Sequence, residues 1–215
     1  MRLRTTVHRA RTGRDEYRVL TVEPGEGRAV LVDGEWWTDL FADRAGARDL
    51  AAAWALAARS PRSLIHLPLR SGPAPGCADE HAVLLDLVLL HHGLGFPPSR
   101  WKEVRARLSK GGTPHTADLP ESDFPAEDEI DYPSHHYAGW RDGLHFTGAA
   151  RTLFLTGTAQ AFRWTGTLVR SLDTRAARLA PTHSCVTLDH APATPTSRPP
   201  KGTSGRLHIA YTPPW

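Results

Sequence analysis

The stretch DEHAVLLDLVLLHH, residues 79–92, is followed by Gly93 and contains Val83, Leu84, Leu85, Leu87, Val88, Leu89 and Leu90, interrupted by Asp86 alone. Its conformation decides the fold. Rich in leucine and apolar on nearly all sides, it reads as a helix, and a helix of that kind is tolerated only at the centre of a core. Gly93 fits the residue that ends such a helix, and His91 and His92 fall in its last turn, where the helix dipole favours a charged imidazole. Cys77 would then stand near the start of that helix, where the dipole lowers a thiol's pKa.

Working outward, Pro97-Pro98 opens a third helix in which Trp101, Val104 and Leu108 face inward. Arg100, Lys102, Glu103, Arg105 and Arg107 face outward, up to Gly111-Gly112. Upstream, Asp43 is a plausible N-cap, and Ala47, Leu50, Ala51, Trp54 and Ala58 recur at helical spacing until Ser60-Pro61. Ser63 to Leu69 is a short strand ending at Pro68. Strands are expected at both ends of the chain. EYRVLTVEPGEGRAVLVDGEWW, residues 16–37, reads as a hairpin around Pro24-Gly25-Glu26-Gly27, with Arg2 to Val7 as an added strand. Beyond about residue 150, RTLFLT, AQAFRWT and TLVRSL are separated by Thr-Gly-Thr and read as a meander. HSCVTLDH and RLHIAYT supply two more strands. The expected class is α+β, with an N-terminal β-hairpin, three central helices and a C-terminal antiparallel β-meander. A single domain over residues 1–215 is expected, with an irregular acidic insert at about 113–145.

A hydrophobic fraction of 40% with 23% charged residues is the usage of a globular protein. No apolar run approaches the roughly 20 residues of a membrane span, and the start lacks the apolar segment of a secretory signal, so a cytoplasmic protein away from membranes is expected. The 2 cysteines, Cys77 and Cys185, form no CxxC pair and are expected as reduced thiols. Charge is unevenly spread. Residues 113–145 hold 8 acids and 1 base, leaving 25 bases against 15 acids elsewhere. A basic body carries an acidic segment.

Three classes of function are compatible with this pattern. The first is an accessory protein that binds nucleic acid or another polyanion. Arg100, Lys102, Arg105, Arg107 and Lys110 would neutralise phosphates, and the acidic insert would compete for that face. The second is a metal-dependent hydrolase. Residues 127–145, EDEIDYPSHHYAGWRDGLH, hold 5 acids and 3 histidines. Asp131, His135 and His145 offer the mixture of oxygen and nitrogen donors that a divalent metal such as zinc accepts, and a bound water of lowered pKa would follow. His136 would then be the general base. HExxH and the paired HxE and PCxxC motifs of zinc deaminases are absent from the chain. The third class is a protein-protein adaptor or inhibitor without catalysis, which requires no motif.

Overall fold

The computed structural model describes residues 1–34, 37–78, 81–108, 111–131, 142–176, 184–189, 205–213 and 215. In chain order these form β1 (Arg2–Thr12), β2 (Asp15–Val22), β3 (Ala29–Asp33), β4 (Thr38–Ala42), α1 (Arg44–Arg59), β5 (Ser63–Leu67) and β6 (Val83–His91). There follow α2 (Trp101–Arg105), β7 (Thr113–Asp118), β8 (His145–Ala149), β9 (Thr152–Gly157), α3 (Ala159–Ala176), β10 (Cys185–Asp189) and β11 (Arg206–Tyr211), with short 3-10 turns between some of them. Helix and strand are mixed, and a sheet of 11 strands dominates. None of the described helices is long and apolar enough to cross a membrane.

The run expected as a buried helix is instead β6, the strand on which the sheet is organised. On one side it pairs in parallel with β9, from Asp86↔Thr152 to His91↔Gly157. On the other it pairs antiparallel with β3 through Leu31↔Leu85 and then with β5 through Ile65↔Leu89, so that it joins the two halves of the sheet. A strand covered on both faces carries apolar residues consecutively, not alternately, and this mimics an all-round apolar helix. Leu87 and Leu89 enter the core beneath α1 and α3, whereas Val88 and Leu90 enter the core beneath α2. Cys77 accordingly lies exposed in a turn before a strand, with no helix dipole to activate it.

Helix α1 runs between the expected signals. The Asp43 carboxylate accepts the Gly46 N–H at 2.7 Å, and Ser60 caps the far end. It is buried almost all round, because α3 packs along it. The Trp54 indole donates to the Thr165 hydroxyl at 3.1 Å, and Arg44 and Arg48 both reach Asp173, at 2.7 and 2.8 Å.

The C-terminal meander is overturned by α3. The Thr158 hydroxyl caps its start by accepting the Ala161 N–H at 3.0 Å. Thr165 donates to the Ala161 carbonyl at 2.7 Å, Thr167 to that of Arg163 at 3.3 Å and Ser171 to that of Leu168 at 2.7 Å. These bonds satisfy the hydroxyls within the helix. Ala161, Phe162, Val169 and Leu172 then form the inward stripe. Gly166, which reads as a turn residue, is a contact point: a Cβ there would lie 2.3 Å from the Phe124 ring.

Two further expectations are revised. β2 and β3 both form, yet they do not pair with each other. β2 lies between β1 and β5, and β3 between β4 and β6. The N-terminal hairpin is β1–β2, closed by Gly13-Arg14 with Gly13 at φ 60°, where primed hairpin turns need a positive φ. The third helix shortens to α2, 5 residues long, with Trp101 and Val104 fully buried as their spacing predicts.

The acidic segment is less irregular than expected. It begins with β7 on the edge of β1 and buries Leu119, Phe124 and Ile130. Its acids clamp it to the body: Asp118 pairs with Arg2 at 3.0 Å, Glu121 with Arg170 at 2.6 Å, and Asp123 accepts two bonds from Arg59, at 2.5 and 2.6 Å. None of these reaches the α2 cations.

Candidate nucleic-acid interface

β1 pairs with β7 only as far as Val7, and β2 pairs with β5 only from Arg18 onward. Beyond those limits, residues 10–17 form a two-stranded ribbon that pairs with no other described strand, with Arg9 and Arg18 at its base. Alternation sorts its side chains. Ala10, Tyr17 and Val19 pack into the α2 core, where the Tyr17 and Phe96 rings meet edge to face at 4.9 Å. Arg9, Arg11, Glu16 and Arg18 occupy the opposite, exposed face. Arg9 stands directly across from Arg18, and Arg11 across from Glu16. Like charges in opposed positions repel. The acid on this face is Glu16, shared between Arg9 at 3.1 Å and Arg11 at 3.2 Å, and their hydrogen bonds hold its carboxyl below the usual range. Arg14 at the ribbon tip and Arg62 in the turn before β5 are exposed, and neither they nor Arg18 forms an ion pair with a described residue.

The cations expected to touch phosphate are largely occupied elsewhere. Arg100 pairs with Asp15 at the base of the hairpin turn, and its hydrogen bonds to Asp15 and Tyr17 raise its pKa further. Arg107 pairs with Glu103 one turn away, at 3.0 Å. Arg105 does not face outward. Its Nη1 donates to the Ala150 carbonyl at 2.9 Å and lies 3.5 Å from Asp86, and burial pulls the guanidinium below its usual value, with Arg70 adding to the effect and Asp86 opposing it. Lys102 is exposed, and Lys110 lies outside the described residues. The α2 region thus braces the ribbon from behind. The sequence signal for the ribbon is the alternation of Arg9 and Arg11 ahead of Gly13-Arg14, a two-residue Gly-X turn.

Behind α2 lies a polar network centred on Asp86, which is 2% exposed. Arg70 Nε reaches its carboxylate at 3.2 Å and His66 Nε2 stands 3.8 Å away. The Trp101 indole donates to the Thr152 hydroxyl at 2.9 Å. Arg105 ties this network to the β8–β9 turn, whose two residues Ala150 (φ 49°) and Arg151 (φ 56°) are both left-handed. Such a conformation costs about 1–2 kcal/mol per residue outside glycine and asparagine. Replacing Ala150-Arg151 by Asn-Gly is expected to raise the unfolding free energy by about 1–2 kcal/mol. Urea denaturation checks this, and an unchanged midpoint would show that the turn is not strained.

Of the expected metal ligands, His145 is the half-buried first residue of β8, and Asp131 lies in the chain after the acidic segment's last 3-10 turn. His135 and the expected base His136 lie outside the described residues. Among the described residues no group of three or more histidine, cysteine or acidic side chains is arranged to hold a metal. Cys77 and Cys185 are free thiols. No protein-family model, curated protein or solved structure matches this chain.

Proposed function

We propose that this chain binds nucleic acid, specifically duplex DNA, through the arginine face of the β1–β2 ribbon. The observation that carries the reading is the opposition of Arg9 and Arg18 on one exposed face, a repulsive arrangement that a row of phosphates would relieve. A two-stranded ribbon fits the B-form major groove, about 12 Å wide, whereas the narrow major groove of A-form RNA does not admit it. The Tyr17–Phe96 contact and the Arg100–Asp15 pair hold the ribbon rigid from its other face, which limits the ordering cost of binding. Arginine suits this role because its planar fork can bond two phosphate oxygens at once.

Fluorescence anisotropy with a duplex of arbitrary sequence tests the reading. Engagement of Arg9, Arg11, Arg14 and Arg18 should give a log-log salt slope of about −3 to −4, from about 0.9 per phosphate. The Arg9→Glu/Arg18→Glu variant should lose at least about tenfold in affinity and roughly half of that slope. Arg107→Ala should leave both unchanged. No binding to any duplex at low salt, or equal sensitivity to Arg107→Ala, would refute the assignment.

A further inference from the structure

Away from the ribbon, β2 and β5 run in parallel and end side by side at Val22 and Leu67, where they border a cavity of about 300 Å³. That is within the usual range of small-ligand sites, and the carboxyl ends of parallel strands are where open sheets hold ligands. The walls are mainly apolar, with Val22, Val30, Leu50, Leu67 and Leu69 on the body and Trp215 at the side. The Trp215 indole is fixed by donating to the Pro73 carbonyl at 2.9 Å.

The remaining wall is made where the Pro24–Gly27 loop crosses the first turns of α1. A Cβ on Gly27 would lie 2.1 Å from the Gly46 nitrogen, and one on Gly46 would lie 2.1 Å from the Arg28 carbonyl oxygen. Loop and helix therefore meet backbone to backbone. Gly25 presses on Asp49, since its Cβ would come within 2.5 Å of a carboxylate oxygen. Asp49 lines this cavity together with a second, more polar one of about 600 Å³. Of the charges nearby, Asp43 accepts the Gly46 N–H, Arg48 pairs with Asp173, Arg4 donates to the Pro24 carbonyl and Glu23 accepts from the Thr6 hydroxyl, while Arg28, which also lines the cavity, is exposed. Asp49 has no hydrogen bond or ion pair with a described residue. Burial, then the charge of Asp43, push its carboxyl above the ordinary range, with Arg4 opposing them.

We infer that this cavity binds a small organic cation, an amine with an apolar body, whose ammonium group pairs with Asp49 while the body lies against the apolar wall beside Trp215. An anion would meet the Asp49 carboxylate, and a purely apolar ligand would leave Asp49 desolvated and unpaired. The site is independent of the ribbon and of its DNA reading.

The test uses phenethylammonium, with phenethyl alcohol as its neutral analogue and 3-phenylpropionate as an anionic one, in amide-detected NMR titrations of the full chain. The ammonium compound should saturate, should shift the amides of Gly25, Gly27 and Gly46, and should bind at least tenfold more tightly than the alcohol. The carboxylate should not bind. Asp49→Asn should erase the preference for the ammonium over the alcohol while leaving the rest of the amide spectrum in place. Absence of saturation by phenethylammonium, equal affinity for the alcohol, or shifts confined to other residues would each overturn the proposal without use of the variant.

Discussion

Trp54→Ala is expected to lower the unfolding free energy by about 3–5 kcal/mol, the cost of removing a large aromatic side chain from a closed core. Trp54 is 0% exposed in α1, and its indole donates across to the Thr165 hydroxyl of α3. The alanines at 51, 52, 53, 55, 57 and 58 beside it on α1 are short and buried, so they cannot fill the space. Against a total stability of about 5–15 kcal/mol for a native protein, such a loss is a large part of the whole. Trp54→Phe should cost less, since most of the ring volume is kept and one hydrogen bond of about 1 kcal/mol is lost. Urea unfolding followed by circular dichroism gives both values. A loss below about 1 kcal/mol for Trp54→Ala would show that the α1–α3 seam is not built around this residue.

Asp86→Ala should cost about 3 kcal/mol, the lower end of the range for breaking a buried ion pair, because Arg70 and Arg105 are partly exposed and can regain solvent. Asp86 is also the acceptor for the Arg70 backbone N–H at 3.4 Å, so its removal loosens the 3-10 turn after β5 as well as the support of the β8–β9 turn by Arg105. Asp86→Asn keeps the shape and one acceptor and should cost less. Arg105→Ala should also destabilise the fold, yet it should leave the DNA affinity of the folded protein unchanged, because this guanidinium faces the core network and not the ribbon's exposed face. Reduced affinity without reduced stability in that variant would reverse this assignment.

The two effects lie on opposite sides of the sheet. Trp54 belongs to the α1–α3 core, and Trp101, which packs edge-on to His66 at 5.1 Å, belongs to the α2 side. The acidic segment joins the first of these layers through Arg59, Arg170 and Phe124. It therefore contributes to the body's packing, and its acids Asp118, Glu121 and Asp123 pair with arginines other than Arg9, Arg11 and Arg18.

Elements whose signals are local were legible from the residues alone. Helix α1 is bounded by an Asp43 side chain that caps its own helix and by Ser60-Pro61, β5 stops at Pro68, and the inward positions Trp101 and Val104 follow from their spacing. The strands β9, β10 and β11 also emerge from short alternating or β-branched runs. What the residues could not decide was the partner each segment meets. Residues 83–91 are a strand because layers of side chains close over both faces, and consecutive burial erases the alternation that distinguishes strand from helix. Residues 159–176 are a helix because Ala161, Phe162, Val169 and Leu172 pack as one stripe into the α1 core and Gly166 admits Phe124, a contact from some 40 positions away in the chain. The same holds for the candidate sites: the arginine content was visible, but whether a guanidinium meets Asp15, Asp86 or solvent depends on pairings between distant strands and helices that no local pattern encodes.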